Sequence, residues 1–135
     1  MTATADRILE RAHVFAVVGA SPKPERPSHH VMQVLIDHGY EVIPVTPRAD
    51  TVLGRRAYPD LAAIPDTATV DVVDIFRRSA LAGAHVDEAI DLGISAVWLQ
   101  LGVIDDAAAE RARAAGLDVV MDRCPAIELA RRARR

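Results

Sequence analysis

The sequence predicts an α/β fold, a three-layer, doubly wound sheet of about five mainly parallel strands in a single domain. Three observations point there. The chain has 135 residues, the length of one hydrophobic core. Its apolar runs are continuous rather than alternating, as in strands buried on both faces. Those runs also take turns with amphipathic stretches of helical spacing that end at glycine. The order β-α-β-β-α-β-α-β-α describes a Rossmann-like sheet with helices on both faces. One domain is expected over residues 1–135, with a core from about residue 14 to about residue 132.

Val14–Val18 reads as the first buried strand, ending at Gly19. Ser28 is placed to cap a helix over His29–His38, with Val31, Val34 and Leu35 inward and Gly39 as its stop. Glu41–Val45 is the second strand, and Pro44 fits its last residues because proline cannot donate to a ladder. The Pro- and Gly-punctuated stretch Asp50–Thr69 holds a short helical turn at Pro59–Ala63. Val70–Phe76 is the third strand, Ser79–Leu92 a helix and Ile94–Leu99 the fourth strand. Asp105 caps a helix to about Ala115, which Gly116 ends. Leu117–Met121 is the fifth strand, and Pro125 suits the first turn of a last helix over Ala126–Arg132.

Composition excludes several classes. Half the residues are hydrophobic and 26% are charged, which argues against disorder. A net charge of −3 does not fit a strongly basic nucleic-acid binder. One cysteine forms no internal disulfide and no multi-cysteine metal site, and it suits a reducing, cytoplasmic setting. No apolar stretch is long enough to span a bilayer, so no membrane partner is expected. The five histidines lack metal-ligand spacing such as His-Glu-x-x-His.

In an open parallel sheet, ligands bind beyond the carboxyl ends of the strands, where the strand order reverses. Five loops fall there, and they hold most of the unusual residues. The first contains Gly19, Ala20, Ser21, Pro22, Lys23, Arg26 and Ser28. Gly19 permits close approach, Ser21 offers a hydroxyl, Lys23 and Arg26 bring charge, and a helix opens at Ser28. Together they describe a phosphate cradle; the plainer alternative is a rigid proline-rich loop. The loop has neither Gly-x-Gly-x-x-Gly nor Gly-Lys-[Ser/Thr]. After the second strand, where an NAD site places an acid, stand Thr46, Pro47 and Arg48. That combination disfavours NAD and favours a ligand with an extra phosphate. Phe76, Arg77 and Arg78 close the third strand; either arginine serves phosphate or pairs with a carboxylate such as Asp74. Gln100 and Gly102 follow the fourth strand, Gln100 suited to a ligand amide, while Trp98 belongs to the core. Cys124 stands at a helix start beside Arg123, a setting that favours thiolate, or else it is a small buried residue. Glu128 is available to Arg123 or Arg132, and the basic tail Arg131–Arg135 complements a helix end and stays solvated.

The strings Val18–Ser28, Ile43–Pro47, Val52–Gly54, Asp74–Arg78, Val97–Gly102 and Met121–Pro125 resemble, in the same order, the small stand-alone CoA-binding proteins. That family in turn is similar to the N-terminal domain of the succinyl-CoA synthetase α subunit. The resemblance implies a Rossmann-type fold holding coenzyme A, or an acyl-CoA, at the carboxyl edge. Carried over by position, Gly19, Ala20, Ser21 and Pro22 would wrap the phosphates, with Lys23 or Arg26 near the 3′-phosphate or pyrophosphate. Thr46 and Pro47 would border the adenosine, Phe76 and Arg77 would flank the site, and Gln100 and Gly102 would line the pantetheine path. The second domain of the α subunit, with its phosphorylated histidine, does not follow here, so ligase activity is not expected.

Three functions therefore compete. The first is a CoA or acyl-CoA binding or regulatory module without chemistry of its own. The second is a small NADP-dependent or CoA-dependent enzyme, for which no convincing nucleophile–base pair stands out. The third is a CoA-linked redox regulator acting through Cys124.

Overall fold

A computed structural model describes residues 3–134. Five parallel strands form the sheet: β1 (Val14–Val18), β2 (Glu41–Val45), β5 (Val72–Ile75), β6 (Ala96–Leu99) and β7 (Asp118–Val120), in the order β2-β1-β5-β6-β7. Between β2 and β5 lies a two-stranded antiparallel hairpin, β3 (Thr51–Val52) and β4 (Arg55–Arg56), followed by a 3-10 turn at Leu61–Ala63. The helices are α1 (Ala3–Arg11), α2 (Pro27–Asp37), α3 (Ser79–Asp91), α4 (Asp106–Ala114) and α5 (Pro125–Ala133). The chain runs from β1 out to the edge strand β2 and then returns to β5 on the other side of β1. Strand order thus reverses between β1 and β5, and this opens a crevice at their carboxyl ends.

Alternation along each strand divides the core into two layers. Ala16, Val18, Val73, Ile75, Val97 and Leu99 pack with Ala82 and Val86 of α3 and Ala108 and Ala112 of α4. Phe15, Val17, Val42, Val72 and Trp98 pack on the opposite face with Ile8 and Leu9 of α1, Met32 and Leu35 of α2, and Leu129 of α5. Both faces are covered, which explains why the strands read as continuous apolar runs.

Two elements went unread in the sequence. Helix α1 buries Ala5, Ile8 and Leu9 on one face, and its Arg7 pairs with Asp118 of β7 at 2.8 Å. The hairpin turns through Leu53 and Gly54, both at positive φ. The charge partners also differ from expectation. Glu128 pairs with Arg131 within its own helix, and Arg132 reaches Asp6 and Glu10 of α1, because α5 packs beside α1. The basic tail is therefore partly pinned rather than wholly solvated; Arg135 lies outside the described residues. Pro44 does occupy an edge strand, one residue before its end.

Candidate functional site

Register aligns the carboxyl edge. Val18 is level with Val45 and with Ile75, and Ile75 with Leu99. One residue further along each chain stand Gly19, Thr46, Phe76 and Gln100. Alternation puts all four on the face covered by α2 and α5. The ladder continues to this row: Gly19 N–H donates to the Val45 carbonyl, Phe76 N–H to Val18 and Gln100 N–H to Ile75. Four separate sequence motifs thus share one line across the crevice.

Gly19 is required at its place in that line. Its φ is +84°, and a Cβ there would lie 2.3 Å from the Phe76 carbonyl oxygen and 3.3 Å from Cδ of Arg77. The first and third loops can meet only because this residue has no side chain. Arg77 is thereby folded over the start of the first loop. It forms no bridge to Asp74, whose carboxylate lies buried without a hydrogen-bond partner among the described residues.

Ser28 does not cap α2. Pro27, with φ fixed for helix, begins α2 two residues earlier than expected, leaving Arg26 as an N-cap without a side-chain hydrogen bond. The buried Ser28 hydroxyl instead accepts the Ser21 N–H at 3.2 Å, and Ser21 Oγ accepts the Lys23 N–H at 3.1 Å. The first loop is thus tied to the helix it feeds, and Ser21 keeps its own hydroxyl proton to give. Helices α3 and α5 also start without side-chain caps, at Arg78 and Cys124. Among the α-helices whose N-caps are described, α4 alone has a side-chain cap, Asp105 accepting the Ala108 N–H at 3.0 Å. Three helices thus point uncapped N-termini at this edge, where the helix dipole favours an anion.

Charge agrees with backbone. Lys23, Arg26, Arg48, Arg77 and Arg123 stand on these loops, and none forms an ion pair among the described residues. Elsewhere Arg7, Arg111, Arg113, Arg131 and Arg132 are all paired. Thr46 is buried and accepts the Arg48 N–H, and Pro47 beside it is exposed. Gln100 to Val103 form a tight turn closed by a 2.8 Å hydrogen bond. Gly102 at its tip donates to Asp122 Oδ1 at 2.7 Å, which joins the loops after β6 and β7. Trp98 is fully buried, and its indole donates to the Arg123 carbonyl at 2.9 Å. Cys124 is buried at the head of α5.

The edge therefore unites the glycine loop, Thr46, Phe76, Arg77 and Gln100 on one face. Lys23 and Pro22 are solvent-exposed on the loop above. One polar residue of this region escaped the sequence reading as a site feature. Asp74 lies one step below Phe76 in a row whose other members are Val17, Pro44, Trp98 and Val120. Burial pushes its carboxyl well above the usual carboxylate range. A charged residue amid the apolar run Val72–Ile75 of a central strand was the available signal. Among the described residues no group of three or more His, Cys, Asp or Glu is arranged to hold a metal. No helix is long and apolar enough to cross a membrane.

The comparisons with known proteins agree with this architecture. The chain is 37% identical over 117 residues to YneT of Bacillus subtilis strain 168, covering 87% of this chain and 85% of that protein. The crystal structure of Prb, a protein redesigned for binding, superposes with a TM-score of 0.90 at 43% identity, over 97% of this chain and 92% of that one. A protein from Pyrococcus horikoshii OT3 superposes with a TM-score of 0.88 at 42% identity, over 94% and 88% of the two chains. Residues 13–130 match the CoA-binding domain family, and a match over that much of a chain with this sheet and this edge means that the protein belongs to it.

Proposed function

We propose that the protein binds coenzyme A, or an acyl-CoA, along the carboxyl edge and acts as a binding or regulatory module. The observation that carries this reading is the convergence of the Gly19 loop, the uncapped start of α2 and the unpaired cations Lys23, Arg26 and Arg77 on one crevice. The residues fit the ligand. Its phosphates need cations and N–H donors: Lys23 and Arg26 supply the first, and at the start of α2, where Pro27 has no N–H and His29 and His30 donate to the Arg26 carbonyl, the Ser28 N–H supplies the second. Thr46 and Pro47 border the adenosine, Ala20, Ser21, Pro22 and Ser28 shape the loop around the phosphates, and Phe76, Gln100 and Gly102 flank the arm. Strands are spaced by about 4.8 Å, so Gln100 lies two strands, roughly 10 Å, from Gly19 along the row. An arm anchored by its phosphates at α2 spans that distance.

Thermal unfolding in the presence of coenzyme A, acetyl-CoA, NAD, NADP and ATP tests the proposal. Coenzyme A at about 100 times its dissociation constant adds roughly 2.7 kcal/mol to stability. A shift with NADP and none with coenzyme A would favour the small-enzyme alternative.

A second reading is supported by Cys124, which heads an uncapped helix on the same edge. Its thiolate would attack a CoA disulfide, forming a protein–CoA mixed disulfide and releasing one CoA thiolate. Intact-mass measurement after incubation with CoA disulfide checks it, and an unmodified protein rejects it.

A further inference from the structure

Three buried oxygens at the edge have no hydrogen-bond partner among the described residues: both carboxyl oxygens of Asp74 and Oε1 of Gln100. Orphaned polar atoms are uncommon in protein interiors and call for a specific cause. The two residues are related by register. Asp74 pairs with Trp98 across β5 and β6, and Gln100 follows Trp98 by two residues, on the same face. They are diagonal neighbours, within reach for a side chain as long as glutamine. The rest of the row gives Oε1 no donor. Val17, Pro44 and Val120 have apolar side chains, and the Trp98 indole is spent on the Arg123 carbonyl. Burial alone raises the Asp74 carboxyl, with no N–H bonded to it. A carboxyl that keeps its proton has an O–H to give, and Oε1 is an acceptor in want of one. Oε1 is also the enclosed end of the carboxamide. Gln100 stays 8% exposed, which leaves Nε2, with its two hydrogens, on the crevice side.

We propose that Asp74 is a positioning residue whose carboxyl O–H holds Gln100 Oε1 inward, so that Nε2 points outward and donates to a carbonyl on the ligand's arm. This rests on the coenzyme A reading and adds to it the sense of the hydrogen bond and the residue that sets it. Gln100 touches the ligand; Asp74 acts through Gln100. The edge thus selects an arm with an acceptor, an amide or ester carbonyl, at this distance from the phosphates. A plain alkyl arm would leave Nε2 unanswered and binds more weakly.

Titration calorimetry compares coenzyme A with adenosine 3′,5′-bisphosphate, which keeps the headgroup and lacks the arm. Gln100→Met, of similar length but without a donor, weakens coenzyme A about fivefold, the weight of one hydrogen bond, and leaves the bisphosphate unchanged. Asp74→Leu keeps the shape of the carboxyl and removes its O–H. The carboxamide is then no longer held, and coenzyme A loses about as much, again with the bisphosphate unchanged. Asp74→Asn keeps a donor in the row and retains wild-type affinity. When Asp74→Leu is added to Gln100→Met, the loss grows no further, because Asp74 works only through Gln100. In the wild-type protein the Gln100 side-chain NH₂ resonances shift with coenzyme A and stay in place with the bisphosphate. Additive losses in the double variant, equal losses in Asp74→Asn and Asp74→Leu, or a coenzyme A affinity untouched by Asp74→Leu would overturn the proposal. So would NH₂ resonances indifferent to coenzyme A, or a wild-type protein that binds the bisphosphate as tightly as coenzyme A. Binding of neither ligand overturns the coenzyme A reading itself.

Discussion

Replacing Gly19 with alanine probes the meeting of the two central loops. A Cβ at this position lies 2.3 Å from the Phe76 carbonyl oxygen and 3.0 Å from its carbon. Both are backbone atoms, so no side chain can rotate away, and the loops after β1 and β5 have to part. Three costs combine. An L-residue at φ +84° loses about 1–2 kcal/mol. Forcing an extra methyl into a packed site adds about 1–3 kcal/mol. Loosening the 2.8 Å bond from Phe76 N–H to Val18 adds about 1 kcal/mol. A loss of about 3–6 kcal/mol is expected. Gly116 provides the internal control: its φ is +92°, but an added Cβ meets nothing within 4 Å. Gly116→Ala should therefore lose only the backbone part, about 1–2 kcal/mol. Urea unfolding followed by fluorescence of Trp98, the single tryptophan, measures both variants. Coenzyme A affinity should fall in Gly19→Ala and stay at the wild-type level in Gly116→Ala. Equal destabilisation of the two variants would refute the close approach of the loops.

Other expectations follow from the same geometry. Ser28→Ala removes the acceptor of the Ser21 N–H and should destabilise by about 1 kcal/mol, with weaker coenzyme A binding because the first loop loses its tie. Asp74 makes stability depend on pH. Its folded carboxyl titrates above the unfolded one, so above about pH 4 the native state holds a proton that the unfolded chain has released. Stability should fall as pH rises through the window up to the folded value, by as much as about 1.4 kcal/mol per pH unit. Asp74→Asn should remove that slope in urea titrations run upward from about pH 4; an unchanged slope rules it out. Lys23→Ala with Arg26→Ala should weaken coenzyme A binding and flatten its dependence on salt, as seen by calorimetry at two ionic strengths.

Much of the fold was legible because its signals are local. Continuous apolar strands, Gly39, Gly93 and Gly116 after helices, Asp105 as a cap and Pro125 at a helix start all appear where the sequence puts them. The five-strand sheet and its crevice follow from their order. What escaped was decided by partners distant in sequence or by competing local rules. Helix α1 carries charges on its outer face, and only its apolar positions Ala5, Ile8 and Leu9 betray it. The hairpin strands are two residues long, too short for a period, and Leu53 is an unexpected residue at positive φ. Ser28 has the chemistry of a cap, but Pro27 fixes the helix start two residues earlier than expected, which frees the hydroxyl for the loop. The row Gly19–Thr46–Phe76–Gln100 depends on strand register, which no single motif encodes. Asp74 entered the sequence reading only as one alternative carboxylate partner for Arg77 or Arg78, whereas alternation along β5 turns it into the core.

The open helix starts at Arg26, Arg78 and Cys124 have a thermodynamic corollary. Each helix keeps backbone donors that its own side chains decline to answer, so an anion docking there finishes secondary structure that the polypeptide leaves incomplete. Folding and occupancy then become a single linked equilibrium. On the coenzyme A reading, the melting temperature then rises with the free concentration of the ligand.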